Sequence, residues 1–181
     1  VGAGTPAIEM SYEADLANSV PTSGGFPSDC LGNSLEYVGL AVSGITYYVT
    51  HNRYYLATGS TGRSELHCAS AAKNSAGNSI PGQPLVDNVE GMQILYGESG
   101  AAGSRQIVRY VTASNVSDWQ NIISVRLCLL MRSADQVLSG EDTTAGMAGY
   151  LDCNSAAQTS ADRYLRRAYF LTTTLRNKMT L

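Results

Sequence analysis

Apolar and polar residues alternate along much of the chain with the two-residue period of β-strands. The clearest example is Ile122–Met131, which we predict to be the strongest core strand. One face of this strand carries Ile123, Val125, Leu127, Leu129 and Met131. The other face carries Ser124, Arg126 and Cys128.

The same period predicts further strands, separated by turns rich in Gly, Ser and Asn. They are Ala7–Glu13, Ser34–Ala41, Gly44–Arg53, Tyr54–Ala57, Glu65–Cys68, a strand starting near Gly91 and ending at Gly97, Gln106–Val111 and Tyr169–Leu175. The pair Ser34–Ala41 and Gly44–Arg53 is predicted to form a hairpin. The strands on either side of the turn 97–104 are predicted to form a second one.

Short helical segments and long loops complete the pattern. A turn or short helix is predicted within Pro84–Glu90, within Ser114–Gln120 with Ser114 or Ser117 as its cap, and within Asp162–Arg167. Residues 69–83 and Ser133–Ser160 form two long polar loops. We predict an α+β fold, mainly antiparallel β, with an all-β fold as the alternative. One domain is expected to cover residues 1–181.

The composition favours an exported protein. Charged residues make up 15% of the chain, against about 25% in typical domains, and 18 glycines with 11 tyrosines accompany many polar turns. The net charge of −3 argues against nucleic-acid binding. Residues 162–181 nevertheless carry a net charge of +4, so the rest of the chain carries −7.

This basic end contains a candidate partner-binding cluster, Arg163, Arg166 and Arg167. Such a cluster suits an acidic face of another protein. It equally suits a solvated rim, or a structural role in which Arg166 and Arg167 hold the domain's own strands in place. If the core and terminal strands are neighbours, the arginines that flank them are expected to pair with carboxylates such as Glu90, Asp118 and Asp162; these arginines are Arg126, Arg132, Arg166 and Arg176. The sequence alone leaves these alternatives open.

The four cysteines are Cys30, Cys68, Cys128 and Cys153, and their even number predicts two disulfides formed in an oxidising compartment. Sequence order suggests Cys30–Cys68 and Cys128–Cys153, and two other connectivities remain possible. The alternative is four reduced, buried thiols in a cytosolic protein.

Catalytic motifs are absent from the sequence, and we expect no enzymatic activity, no cofactor, no small-molecule ligand and no metal. His51 and His67 are interpreted as structural, and Trp119 as a packed anchor. Three acidic residues in the second loop form only a weak calcium candidate, because they lack EF-hand spacing. They are Glu141, Asp142 and Asp152.

An ordered series of short segments runs through nearly the whole chain. The segments are Asp29-Cys-Leu-Gly32, Glu65-Leu-His-Cys68, Gln83–Gly97, Tyr110-Val-Thr-Ala113, Trp119, Ser124–Ser133 and Arg166–Asn177. In this order they resemble the PilW family of type IV pilus minor pilins, a family related to the J-type minor pseudopilins of type II secretion.

The resemblance implies a pilin-like globular head without enzymatic activity. Members carry a long hydrophobic N-terminal helix that anchors them in the inner membrane, and we expect this helix to be absent from these 181 residues. Such a subunit assembles with other minor pilins and the major pilin to prime pilus assembly. It moves from the inner membrane and periplasm to the extracellular pilus tip.

The resemblance also supports a Cys30–Cys68 disulfide, because Asp29-Cys30 and His67-Cys68 match a cysteine pair of the family. Twitching motility, adhesion and DNA uptake are the processes that it suggests. Two alternative functions are kept. One is a J-type minor pseudopilin of type II secretion, and the other is an adhesive or DNA-binding tip module.

Overall fold

The computed structural model describes residues 6–35, 47–73, 76–144 and 148–175. Strands dominate these ranges, as expected for segments rich in Val, Ile, Thr and Tyr. The chain divides into two compact units, Val1–Asp87 and Asn88–Leu181.

The first unit contains a four-stranded antiparallel sheet. Its strands, in spatial order, are β1 (Ala7–Ala14), β2 (Tyr48–Thr58), β3 (Ser64–Ser70) and β4 (Gln83–Asp87). The predicted strand Tyr54–Ala57 and the described end of Gly44–Arg53 join into the single strand β2. Most of the predicted partner, Ser34–Ala41, lies outside the described residues, so that hairpin stays a prediction.

The second unit contains a four-stranded antiparallel sheet with the spatial order β10-β7-β5-β6 and a small two-stranded sheet. Its elements are β5 (Val89–Ser99), β6 (Ile107–Val111), 3-10 helices at Ala113–Asn115 and Trp119–Asn121, β7 (Ile122–Arg132), α1 (Gly140–Thr144), β8 (Gly149–Leu151), β9 (Ala157–Thr159) and β10 (Arg166–Thr174). The predicted hairpin of β5 and β6 is confirmed, and so is the central strand β7.

The predicted α+β class is wrong, and the chain is mainly antiparallel β. Strands hold 50% of the described residues, helices hold 7%, and no described helix reaches seven residues. Isolated helices this short gain too few hydrogen bonds to offset the cost of nucleation. The three-residue 3-10 helices and the five-residue α1 therefore add no helical layer.

The structure departs from the helical predictions for a reason local to each segment. Pro84 lies in the edge strand β4, where a missing N–H is tolerated. The N-cap of the 3-10 helix Trp119–Asn121 is Asp118 rather than a serine, because its carboxylate accepts from the Gln120 amide. At Arg163, a φ of 65° ends any right-handed turn before β10 begins.

The two disulfides tie loops to strands, in the pairing that sequence order suggests. Cys30 of the loop after β1 is bonded to Cys68 of β3, and Cys128 of β7 is bonded to Cys153. The predicted loop Ser133–Ser160 is partly ordered, since it contains α1 and the antiparallel pair β8–β9. Cys153 lies between β8 and β9, so the bond holds this hairpin to the central strand of the larger sheet.

Few apolar side chains of the described residues are buried. They are Ala14, Leu35, Cys68, Val89, Met92, Ile122, Ile123, Cys128 and Ala148. Along β7, burial is greatest at Ile122–Ser124 and Cys128, whereas Val125, Leu127 and Leu129 remain partly exposed. The alternation of β7 therefore does not produce one sealed apolar face.

Candidate partner-binding surface

Arg166 begins β10 and lies at the centre of an ion-pair network. Its Nε donates to Glu90 Oε2 at 2.6 Å, and its Nη1 donates to Asp162 Oδ1 at 2.6 Å. It also donates to the hydroxyl of Ser160, which is buried. The Arg166 side chain is 11% exposed, so this guanidinium is committed to its own domain.

Hydrogen bonds and ion pairing in this network stabilise the charged forms of Asp162 and Arg166. Hydrogen bonds from Arg166 and Ser160 hold the pKa of Asp162 well below its usual value. The carboxylates of Asp162 and Glu90 raise the pKa of Arg166 above that of a free guanidinium. Arg132 Nη1 lies 3.4 Å from Glu90 Oε1, so Glu90 bridges two arginines, as one alternative from the sequence predicts.

Arg167 and Arg163 differ from Arg166 in what they contact. Because side chains alternate along a strand, Arg167 lies on the opposite face of β10 from Arg166. Arg167 is exposed, and its guanidinium lies 5.7 Å from the ring centroid of Tyr169. Arg163 is exposed in the preceding turn, where its Nε donates to the Leu138 carbonyl at 2.8 Å. The three arginines therefore have different surroundings: Arg166 is paired within the ion-pair network, whereas Arg163 and Arg167 are exposed.

An apolar sheet face, defined by the residues that share a side with Arg167, extends over β5, β7 and β10. Cross-strand rows bring these side chains together: Met92, Leu129 and Tyr169 in one row, Ile94, Leu127 and Leu171 in the next, and Tyr96, Val125 and Thr173 in the third. Exposure increases towards β10, where Tyr169 is 53% and Leu171 is 62% exposed. The terminal strand β10 therefore leaves this face open to solvent.

Trp119 extends this apolar area next to Tyr96 of β5, at the end of the same face away from β10. Its ring packs edge-on against Tyr96, with 4.9 Å between the centroids, yet the residue is 55% exposed. The packed anchor predicted from sequence is therefore only partly correct. A short 3-10 helix holds Trp119 against one neighbour and leaves the rest of the ring in solvent.

A second polar cluster was not foreseen from the sequence. Glu98 of β5 is 3% exposed, and its Oε1 accepts hydrogen bonds from the backbone amides of Ser117 and Asp118 and from the Ser117 hydroxyl. Its Oε2 lies 2.7 Å from Nη2 of Arg109 in β6. The Ser117 bond and then the Arg109 bond lower the pKa of Glu98 from 4.5 to about 2. All the hydrogen-bond partners of this buried carboxylate belong to the second unit itself. No motif in the sequence indicates the cluster.

The other sequence candidates have local structural partners. His51 Nδ1 lies 2.6 Å from the Ser11 hydroxyl, and His67 Nε2 lies 3.1 Å from a Glu65 carboxylate oxygen. The Asp142 carboxylate accepts from the Ser139 amide and hydroxyl. Among the described residues, no three His, Cys, Asp or Glu side chains form a group suited to a metal ion.

Arg126, which lies on the same side of β7 as Ser124, has an aromatic contact. Its guanidinium lies 3.9 Å from the ring centroid of Tyr110, a distance suited to a cation–π interaction. Tyr164 has the same relation to Arg132 at 4.1 Å. The second face of the sheet is therefore held by arginine–tyrosine pairs and the Cys128–Cys153 bond, in contrast to the open apolar sheet face.

Comparison with known protein families identifies one match. The model of the PilW family, type IV pilus-assembly protein W, matches residues 53–177, which is more than half of the chain. Comparisons with curated proteins and with solved structures find no match. Within the described ranges, no helix has the length and apolar character needed to cross a membrane.

Proposed function

The chain belongs to the PilW family of type IV pilus-assembly proteins, and on this basis we propose that it is a minor pilin head. It assembles with other minor pilins to prime type IV pilus assembly. The observation that favours a role in assembly is the apolar sheet face, which stays open at Tyr169 and Leu171. Open apolar area of this kind marks surfaces that bind other proteins.

The proposed partners are other minor pilin heads and the major pilin. Arg163 and Arg167 are the two exposed members of the basic cluster, and they supply the electrostatic part of the contact. Arg167 lies on the same face as Tyr169 and Leu171, so charge and apolar area adjoin. Arg166 stabilises the head itself, because its guanidinium already donates hydrogen bonds to Glu90 and Asp162 within the domain.

The cellular setting follows from the same proposal. A hydrophobic helix, as implied by the family resemblance, retains the subunit in the inner membrane, and the head lies in the periplasm until it reaches the pilus tip. Two disulfides suit these oxidising locations. A J-type minor pseudopilin of type II secretion is the related alternative, and the genes adjoining the one for this chain distinguish the two systems.

The test is co-purification of this head with the other minor pilin heads of the same assembly system. We expect a complex, and we expect the double charge reversal Arg163→Glu/Arg167→Glu to weaken it by about tenfold or more, since like charges then oppose each other. A matched variant, Arg53→Glu/Arg63→Glu, changes the net charge equally on the first unit and should leave binding nearly unchanged. Absence of any complex, or equal weakening by both variants, would contradict the proposal.

A further inference from the structure

We propose that the outer edge of β10 is a strand-addition site, which binds an extended apolar segment of another minor pilin head that carries a carboxylate near Arg167. This inference rests on the proposed function, because it specifies how the partner head is bound. The added segment would become the fifth strand of the sheet β10-β7-β5-β6.

Hydrogen bonds at both ends of β10 show which backbone groups are directed outward. The Leu175 amide donates to the Ile123 carbonyl at 2.9 Å, and the Ser133 amide donates to the Leu165 carbonyl at 2.8 Å. The register between these points has no shift. In an antiparallel pair, hydrogen-bonded positions recur at every second residue, so the odd-numbered residues of β10 bond to β7. The even-numbered residues therefore direct their N–H and C=O groups to the outer side.

The outer side of β10 has no strand partner among the described residues. Near its start, Arg166–Ala168 and Phe170 line a crevice with Gly149–Leu151 of β8. From Phe170, at the end of the crevice, to Thr174, every residue is exposed. The open edge thus offers the outward backbone groups of Phe170, Thr172 and Thr174, enough for a segment of about five residues.

This edge lacks the protection that the other described edges of the two four-stranded sheets have. Edge strands are commonly kept short, bulged, charged or interrupted by proline, because an unprotected edge pairs with other chains. β4 has five residues and contains Pro84, and β6 has five residues and pairs with β5 through a register shift. β1 carries Glu9 and Glu13. β10 has nine residues without proline or bulge, and its charges are confined to its first two positions.

Side chains on both faces of the open edge define the chemistry of the occupant. Phe170 is 53% exposed on one face, and Leu171 is 62% exposed on the other, so the added segment buries apolar side chains on both of its faces. Arg167 has no carboxylate partner among the described residues. An acidic residue of the occupant, at the end nearest Arg167, completes the charge complementarity.

Residue-resolved amide hydrogen exchange tests the geometry directly. In the free head, the amides of Phe170, Thr172 and Thr174 should exchange rapidly, while those of Tyr169, Leu171 and Thr173 are protected. When the other minor pilin heads of the same system are added, the even-numbered amides should slow by about tenfold or more. If a head binds and these amides stay unprotected, the strand-addition site is refuted while the proposed function stands.

A pair of substitutions at one position separates backbone from side-chain effects. Thr172→Pro removes an outward N–H and should weaken binding by about tenfold or more, whereas Thr172→Val keeps that N–H and should bind as the native chain does. Equal binding by both variants would overturn the inference. Protection of the even-numbered amides that rises with the concentration of this head alone would also overturn it, since the occupant would be a second copy. If no head binds the native chain, the proposed function and this inference both fail.

Discussion

Glu98 illustrates what one residue contributes to this head. Its carboxylate is buried and joins three separate parts of the second unit, namely its own strand β5, Arg109 of β6 and the backbone at Ser117 and Asp118. A buried carboxylate is tolerated only when its oxygens are fully hydrogen-bonded. Glu98 meets this requirement, and it therefore holds the hairpin of β5 and β6 to the segment before β7.

The lowered pKa of Glu98 predicts a specific pH dependence of stability. The carboxyl titrates near pH 4.5 when unfolded and near pH 2 in the fold, so the unfolded state binds the proton first as the pH falls. The free energy of unfolding should decrease between about pH 4.5 and 2. The Glu98→Gln variant lacks this contribution. The difference in free energy of unfolding between the native chain and this variant should therefore become smaller as the pH falls over that range. Urea denaturation at a series of pH values measures it, and a constant difference would contradict the prediction.

Arg166 and Arg167 show why adjacent identical residues have different roles. The strand alternation places Arg166 beside Glu90 and Asp162, and it places Arg167 on the apolar sheet face. From the sequence, all three arginines of the cluster were equal candidates for partner binding. Arg166 differs from the other two because it pairs with Glu90 and Asp162 within the domain. Glu90 is distant from Arg166 in sequence, so the sequence alone does not indicate this pair.

At the scale of elements, the β8–β9 hairpin depends on its covalent bond to β7. Each of its strands has three residues, and two-stranded sheets of this size are marginal in water. Its other contacts are non-covalent, and they include the bond of the Gln93 amide to Asn154 Oδ1 and the Arg166 guanidinium 5.8 Å from the Tyr150 ring centroid. The hairpin should therefore lose order before the larger sheet does when the bond is removed.

We predict that Cys128→Ala/Cys153→Ala lowers the free energy of unfolding by about 3.5 kcal/mol, since the bond closes a sequence separation of 25 residues. Limited proteolysis should then cut first within residues 149–159. Chemical denaturation gives the magnitude, and Cys30→Ala/Cys68→Ala serves as the control, with a similar loss but no new cleavage in the hairpin. Resistance of the hairpin to proteolysis in the first variant would show that other contacts hold it.

At the scale of the whole molecule, the described core is too sparse to dispense with both disulfides. The two bonds together contribute about 7 kcal/mol in the loop-entropy model, and a typical domain has a net stability of about 5–15 kcal/mol. We predict that replacing all four cysteines by alanine leaves the chain largely unfolded at 25 °C. Circular dichroism and one-dimensional NMR check this outcome. A native spectrum for the four-alanine variant would show that the apolar core is sufficient alone.

Local sequence patterns were sufficient to predict most of the strands, the hairpin of β5 and β6, the central strand β7 and the family. These features depend on local alternation and on short ordered segments, which neighbouring residues specify. The same patterns failed at the α+β class, because weak helical tendencies in segments such as 84–90 cannot compete with strand pairing that the linear chain does not display.

Which strands lie at the edges and which charges are neutralised became clear from the three-dimensional arrangement alone. The order β10-β7-β5-β6 makes the C-terminal strand an edge, and nothing in its run of strand-favouring residues, Phe170–Thr174, indicates this position. Edge position, the exposure of Leu171 and the pairing of Arg166 with Glu90 all depend on contacts between residues distant in sequence. Periodicity specifies the face of a strand on which a residue lies, whereas the three-dimensional arrangement specifies what covers that face.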